Sequence, residues 1–487
     1  MSNPVFITGP EIKAFLTYED LITVVERSLV TYSNWKSQFY QPLREKVFTS
    51  NNGILATMPC YNAPDAALAC KLVTVFPGNH DLPSHQGIVT LFDPNNGSLQ
   101  ALMDAEEITC MRTAAASAVA SRRLLCIKRS AFAKAAHQRV MSLPRRHIKG
   151  IEIQKKITVT MATTQQQHGT PPFISGQEIK GLLSYEDLIP TVERSLITYS
   201  TKKSEFCQPM RTKVDSGSTG LLLTMPCYSA PDSALACKLV TVFPGNTDLP
   251  SHQGIVTLFD PESGSLQALM DAEEITCMRT AAASAVASRH LAHPQSRTLA
   301  LLGSGAQAFS HFEAIATLFA IECIRVHSRN PEKRAALVEK IMLSAKFKPD
   351  VMKVEDCESA KAAVDQADIV CTVTSSRDPV LRADWLPRLC HVNAVGACRP
   401  DQRELDESVT SAAFLVADSR ESASSESGDV IVNKATVHAE LGELIAHPER
   451  FREARASRGG LTVFKSLGLG IEDAATARLV WDLRMKE

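Results

Sequence analysis

In 178–199, EIKGLLSYEDLIPTVERSLITY, apolar residues recur at helical spacing, and Ser184 stands where an N-cap opens a second helix. The runs GLLLTMPCY (220–228), LACKLVTVFPG (235–245) and QGIVTLFDPESGSLQALMD (253–271) follow. They are short, rich in Val, Thr and Leu, and bounded by Pro, Gly, Asn or Asp, which predicts strands joined by turns. The stretch 272–289 is Ala-rich and reads as a helix. From 298, TLALLGSGAQAFSHFEAIATLF places an apolar strand before a glycine turn and a helix. Further strands come at α/β intervals: CIRVH, IVCTVT after Asp368, VNAVGA after His391 and LVAD after Phe414. Amphipathic helices such as Pro331–Met342 lie between them. This alternation predicts a doubly wound parallel sheet in the second half of the chain.

The chain also repeats itself. PVFITGPEIK from Pro4 returns as PPFISGQEIK from Pro171, and the offset of 167 holds without a gap to Arg122 and Arg289; ALACKLVTVFPG occurs in both places. The match is far too long for a solenoid unit, so it predicts a duplicated domain. After Arg122 the two stretches part. Between Cys126 and Thr160 the first carries nine Lys or Arg and one acid, Glu152, and then MATTQQQHGTPP. This reads as a solvated linker, with a basic nucleic-acid or membrane patch as the alternative.

Composition narrows the functional classes. The 487 residues suggest about three domains. With 52 basic against 53 acidic residues the net charge is −1, which argues against a dedicated nucleic-acid binder. No basic segment followed by an apolar run opens the chain, and no apolar stretch reaches membrane-spanning length. The 13 cysteines are scattered without a CxxC pair, as in a protein of the reducing cytosol, and no metal site is expected.

The turn Gly303-Ser304-Gly305-Ala306-Gln307-Ala308 fits the GxGxxA form of the dinucleotide fingerprint: a tight turn, close backbone approach to a pyrophosphate, and a helix N-terminus facing it. The strand CIRVH ends in Ser328-Arg329-Asn330, where an NAD site would carry an acid for the ribose hydroxyls. Arg329 instead suits a 2′-phosphate and predicts NADP; otherwise it is a surface charge. Thr372, Val373, Thr374 and Val395 end strands of the same sheet and are expected to line the nicotinamide crevice.

The motifs KLVTVFPGN, LPSHQGIVTLFDPESGSLQALMDAEEITCMRTAAASAVAS, LLGSGAQAFSH, NAVGACRPDQREL, ESGDV and TVFKSLGLGIED occur in this order. Together they resemble the ornithine cyclodeaminase/μ-crystallin family, over about 171–487 and again over 4–122. The resemblance implies an α/β protein: an NADP-binding Rossmann domain (293–454) plus an α+β substrate and dimerisation domain (171–292, completed by about 455–487). The latter is duplicated at the N-terminus (1–123), with 124–170 as linker. It implies NADPH as cofactor, a cyclic imino acid as substrate, a homodimer or an intramolecular pseudo-dimer, and no nucleic-acid or membrane partner.

The same resemblance implies a substrate carboxylate held by Arg211 in QPMRTKV, Lys238 in ACKLVT and Arg279 in CMRTAA, with Lys238 and Arg279 catalytic. It adds Ser251, His252, Thr280, Ser466 and the turn residues Ala306 and Gln307 to the cofactor site. Cations within apolar strands or on an Ala-rich helix are costly unless an anion meets them. That anion is either a substrate or a carboxylate of the protein. In cyclodeaminases an Asp follows NAVG as acid/base; here the place reads Ala397-Cys398-Arg399, with no acid before Asp401. Reduction of a preformed cyclic ketimine carboxylate, of the piperideine-2-carboxylate or thiomorpholine-carboxylate type, is therefore expected rather than cyclodeamination. The family offers an alternative, an NADPH-regulated binder of iodothyronines or a structural crystallin. Lys238 and His252 are the candidate proton donors. Arg44, Lys71 and Arg112 repeat the three cations in the first stretch, where no dinucleotide turn follows.

Overall fold

The computed structural model describes residues 5–34, 39–135, 171–217 and 220–487. Three sheets organise the chain. The first runs in the order Val5–Ile7, Leu99–Asp104, His85–Phe92, Ala67–Val75, Ile54–Asn62, Phe39–Tyr40, with Glu45–Phe48 also on Ile54–Asn62. The second has the same core order: Phe173–Ile174, Leu266–Asp271, His252–Phe259, Ala234–Val242, Leu221–Ser229, then Thr212–Asp215, with Phe206–Cys207 also on Leu221–Ser229. In each, the short N-terminal strand pairs in parallel and the long strands pair antiparallel.

The two sheets pack face to face. Leu55, Leu68, Leu72 and Phe92 of the first share one buried cluster with Leu222, Leu235, Leu239 and Phe259 of the second. Alternation of side chains along a strand brings this about: Leu68, Cys70 and Leu72 point to one face, and Leu235, Cys237 and Leu239 repeat them 167 positions later. The seam has an approximate two-fold axis. Thr74 Oγ1 donates to Gly264 O at 2.8 Å, and Thr241 Oγ1 to Gly97 O at 2.7 Å. Asn79 Nδ2 donates to Ser263 O at 2.9 Å, and Asn246 Nδ2 to Asn96 O at 3.0 Å. Phe76 packs over Gly264 as Phe243 packs over Gly97.

The third sheet has eight strands, all parallel, in the order Lys353–Asp356, Cys323–His327, Thr298–Leu302, Ile369–Thr372, His391–Ala394, Thr462–Lys465, Phe414–Ala417, Ala439–Glu440. This is the expected doubly wound sheet. Its order reverses between Thr298–Leu302 and Ile369–Thr372, the switch point where such sheets bind ligands. The expected helices are present, Ser184 capping Tyr185–Thr201 through the Asp187 amide at 3.2 Å. The Ala-rich helix Ala272–Leu291 is buried along most of its length and joins the second sheet to the third.

Two boundaries differ from expectation. The helix from Ala105 runs through Ala135, so the linker does not begin at 124; the stretch beyond Arg122 is rich in good helix formers. Its remainder, 136–170, lies outside the described residues. The returning segment 455–487 is divided: Thr462–Lys465 enters the third sheet between His391–Ala394 and Phe414–Ala417, and only the helix Gly470–Arg484 lies on the second. Among the described residues no helix is long and apolar enough to cross a membrane, and twelve of the 13 cysteines, all but Cys126, are free thiols.

Candidate active site

Lys238 lies on the central strand Ala234–Val242, on the face opposite the seam, where Gly470–Arg484 covers it. Arg279 projects from Ala272–Leu291. Both are buried. Their partners come from the start of the C-terminal helix: Asp473 reaches Lys238 Nζ at 2.7 Å and Arg279 Nε at 2.9 Å, and Glu472 accepts from Arg279 Nη1 at 2.8 Å. Lys238 Nζ also donates to Thr276 Oγ1 at 3.4 Å. Arg211 lies 3.3 Å from Glu426 through Nε and donates Nη2 to the carbonyls of Leu467 and Gly468 at 3.2 and 2.9 Å. Gly468 has φ +82, and a Cβ there would stand 2.5 Å from Arg279 Nη1, so only glycine lets the chain pass.

The structure therefore brings the three predicted cations together and supplies protein carboxylates to all three. Glu426, Glu472 and Asp473 were not singled out by sequence. Acids in the first turn of a helix already have a routine explanation in the helix dipole, which hides their second role. The pairs leave donors over: among the described residues Arg211 Nη1, Arg279 Nη2 and one Lys238 proton have no partner.

Burial pushes the Lys238 ammonium down to about 8, with Arg279 and Arg211 adding to the shift and Asp473 opposing it. Burial raises Glu472 to about 7, against the pull of Arg279. His252 keeps an exposed edge, yet the protein mass around it, then Arg399 and Lys238, lower its pKa. Ser251 Oγ lies 3.0 Å from His252 Nδ1.

The dinucleotide turn has the predicted form. Gly303 has φ +125 and a Cβ there would lie 2.7 Å from Val373 O, so the turn and the switch-point loop touch. Gly305 caps Ala306–Leu318 with no side-chain bond, leaving the first helical amides open, and the space beside it is empty within 4 Å. Gln307 Nε2 reaches Thr276 O at 3.5 Å, whereas its buried Oε1 has no partner. Arg329 is exposed with no hydrogen bond or ion pair among the described residues; Asn330 caps the next helix through the Lys333 amide at 2.9 Å, and Ser328 Oγ donates to Asn330 O. These features fit a dinucleotide.

Thr372 and Thr374 lie at the crevice, but their hydroxyls turn away to the buried Glu404, at 2.7 and 2.8 Å. Glu404 also accepts from the amides of Thr374 and Gly396, at 2.5 and 2.7 Å. The threonines thus shape the loop and leave ligand contact to its backbone and to Val373 and Val395. Thr280 is buried beside Arg279, and buried Ser466 bonds through its amide to Ala394 O at 3.0 Å.

The family model for "Ornithine cyclodeaminase/mu-crystallin family" matches residues 3–133 and 171–487. The chain belongs to this family. It is 42% identical to ketimine reductase mu-crystallin of Mus musculus over 325 residues, covering 64% of this chain and 97% of that protein. Among solved structures, Δ1-pyrroline-2-carboxylate reductase of Thermococcus litoralis in complex with NADH and L-proline superposes with a TM-score of 0.59 at 33% identity, over 65% of this chain and 98% of that one. An archaeal alanine dehydrogenase dimer with bound NAD gives 0.58 at 27%, over 65% and 96%. Against the acid expected of a cyclodeaminase, Ala397 here is fully buried and the Cys398 thiol points to Val395 O. Asp401 is exposed and lies 3.4 Å from both Arg377 and Arg399.

Proposed function

We propose that the chain reduces the C=N bond of cyclic imines that carry a carboxylate on the imine carbon, of the piperideine-2-carboxylate and thiomorpholine-carboxylate type, with NADPH. It is an NAD(P)H-dependent oxidoreductase acting on C=N. The observation that carries the reading is the set of unspent donors on Arg211, Lys238 and Arg279, which converge around Asp473 and Gly468 with Thr276 linking Lys238 to Gln307 of the dinucleotide turn. A carboxylate is the ligand such donors select.

Glu426, Glu472 and Asp473 hold the three cations in place before substrate arrives, so no ordering is left to the moment of binding. Gly303–Ala308 would hold the pyrophosphate of the dinucleotide, and the nicotinamide, when bound, would supply hydride for the imine carbon. The nitrogen keeps the proton it brings or takes one from Lys238, whose pKa of about 8 leaves it charged at neutral pH. His252, lowered, is neutral there and orients rather than donates. The exposed, unpaired Arg329 supports preference for a 2′-phosphate.

In this reading, residues 1–123 are a partial duplicate of the substrate domain that takes the partner position on the second sheet, so the chain is a pseudo-dimer. The support is the two-fold seam, the symmetry of an isologous contact. The free thiols agree with a cytosolic address. The test is turnover of piperideine-2-carboxylate with NADPH. Oxidation of NADPH dependent on the imine supports the reading; a chain that binds NADPH and leaves the imine untouched refutes it.

A further inference from the structure

The first and second sheets carry nearly the same residues but not the same cover. Tyr185–Thr201 buries nine residues beneath the C-terminal half of the chain, whereas Tyr18–Asn34, of almost identical sequence, buries only Thr31. Tyr18 is 52% exposed where Tyr185 is 5%, and Leu29 is 45% where Leu196 is 0%. The strand Ala67–Val75 alternates buried and half-buried, while in Ala234–Val242 every position but Val240 is buried. One face of each sheet lies in the seam. The other is crossed in both by the helix after the last strand, Ala105–Ala135 in the first sheet and Ala272–Leu291 in the second; the second also carries Gly470–Arg484, which has no counterpart on the first among the described residues.

The cations on that face of the first sheet have no carboxylate among the described residues. Lys71 donates to Thr109 Oγ1, while Arg44 and Arg112 are exposed and have no hydrogen bond or ion pair among the described residues. Their counterparts 167 positions on are the residues that meet Glu426, Glu472 and Asp473. Burial, and the charges of Arg112 and Arg44, lower Lys71 to about 8, and among the described residues this half-buried ammonium meets no carboxylate.

The geometry points to a docking seat on the open face of the first sheet for a helix from a separate polypeptide, apolar on one side and carrying two successive carboxylates in its first turn. The second sheet shows what such a seat holds: a Glu-Asp pair opening an apolar helix, the acids on the Lys and Arg and the helix across the strands. Opposite charge on equivalent positions fixes the register, and the half-buried side chains of Ala67–Val75 on that face supply the strand surface beneath it. The chain's own Glu-Asp helix is engaged on the second sheet and 124–170 carries no pair of successive acids, so the occupant is a separate polypeptide.

The test is titration of the full chain with a labelled peptide of residues 467–487, read by fluorescence anisotropy. Saturable one-to-one binding is expected. It should weaken roughly tenfold or more when the peptide carries E472Q and D473N, and again when the chain carries Lys71→Met or Arg112→Ala. Arg112 is exposed and unpaired, so that variant keeps its fold. Absence of binding overturns the proposal, as does binding indifferent to the peptide's acids. Binding unchanged by both chain variants overturns it as well, because the peptide would then be exchanging onto the second sheet or adhering through its apolar side.

Discussion

Replacing Asp473 with Asn tests whether the clamp is built from its carboxylates. The side chain keeps its size and can still accept one hydrogen bond, but the charge that faces both Lys238 at 2.7 Å and Arg279 at 2.9 Å is gone. Leaving buried cations without their partner costs about 3–5 kcal/mol. Glu472 still pairs with Arg279, and the amide retains one acceptor, so the loss should fall near the low end, about 3 kcal/mol. At about 2 °C per kcal/mol for a large cooperative unit, the melting temperature should drop by about 6 °C. Glu472→Gln is the comparison. Burial raises the pKa of Glu472, which weakens its hold on a charge, so Gln should cost about 1 kcal/mol or less. Thermal unfolding followed by circular dichroism reads both. A change of less than about 1 °C for Asp473→Asn, or a larger one for Glu472→Gln, would refute the reasoning.

Arg279→Ala should raise KM for the imine strongly, by about 1.5–3 kcal/mol in transition-state terms, while Arg112→Ala leaves turnover unchanged; equal damage would put the active half in the wrong place. Arg329→Asp should move the ratio of kcat/KM from NADPH toward NADH, and an unchanged ratio would remove Arg329 from the cofactor site. Because Lys238 is lowered to about 8, KM should climb as pH rises past 8 and the ammonium is lost, and Lys238→Arg should abolish that limb. The stability signs differ. Lys238, depressed from 10.5, costs the fold least above 10.5 and most below 8. Glu472, raised from 4.5, contributes stability below 4.5 that is lost as pH rises through 7. By light scattering the full chain should be monomeric and the chain begun at Met161 dimeric; two dimers would contradict the pseudo-dimer.

Local signals carried most of the fold. Ser184, the Val-rich runs ending in Pro or Gly, and the strand–turn–helix around Gly303 are each set within a dozen residues, and each appears where its pattern predicts. The strand Thr462–Lys465 was hidden because only its place between His391–Ala394 and Phe414–Ala417 makes it part of that sheet. The site divides in the same way. Burying Arg279 or Lys238 announces an anion, but Asp473 is 194 residues from Arg279, and nothing local selects it over other acids. Thr372 and Thr374 show the converse: their position at the strand end was legible, and the direction of their hydroxyls depended on Glu404, 32 and 30 residues on.

The face-to-face seam has a consequence for synthesis. The first sheet is complete at Asp104, but the surface that covers Leu55, Leu68 and Phe92 is not finished until Asp271, 167 residues later. At about 5–20 residues per second, a nascent chain carries that apolar face uncovered for roughly 10–30 s. During this time neighbouring chains on the same message present the same face, and the repeated strand ALACKLVTV offers each of them a partner as good as the one still to come. Spacing between ribosomes, and chaperones that shield the first sheet, therefore bear on the yield of this protein more than the stability of the finished molecule does.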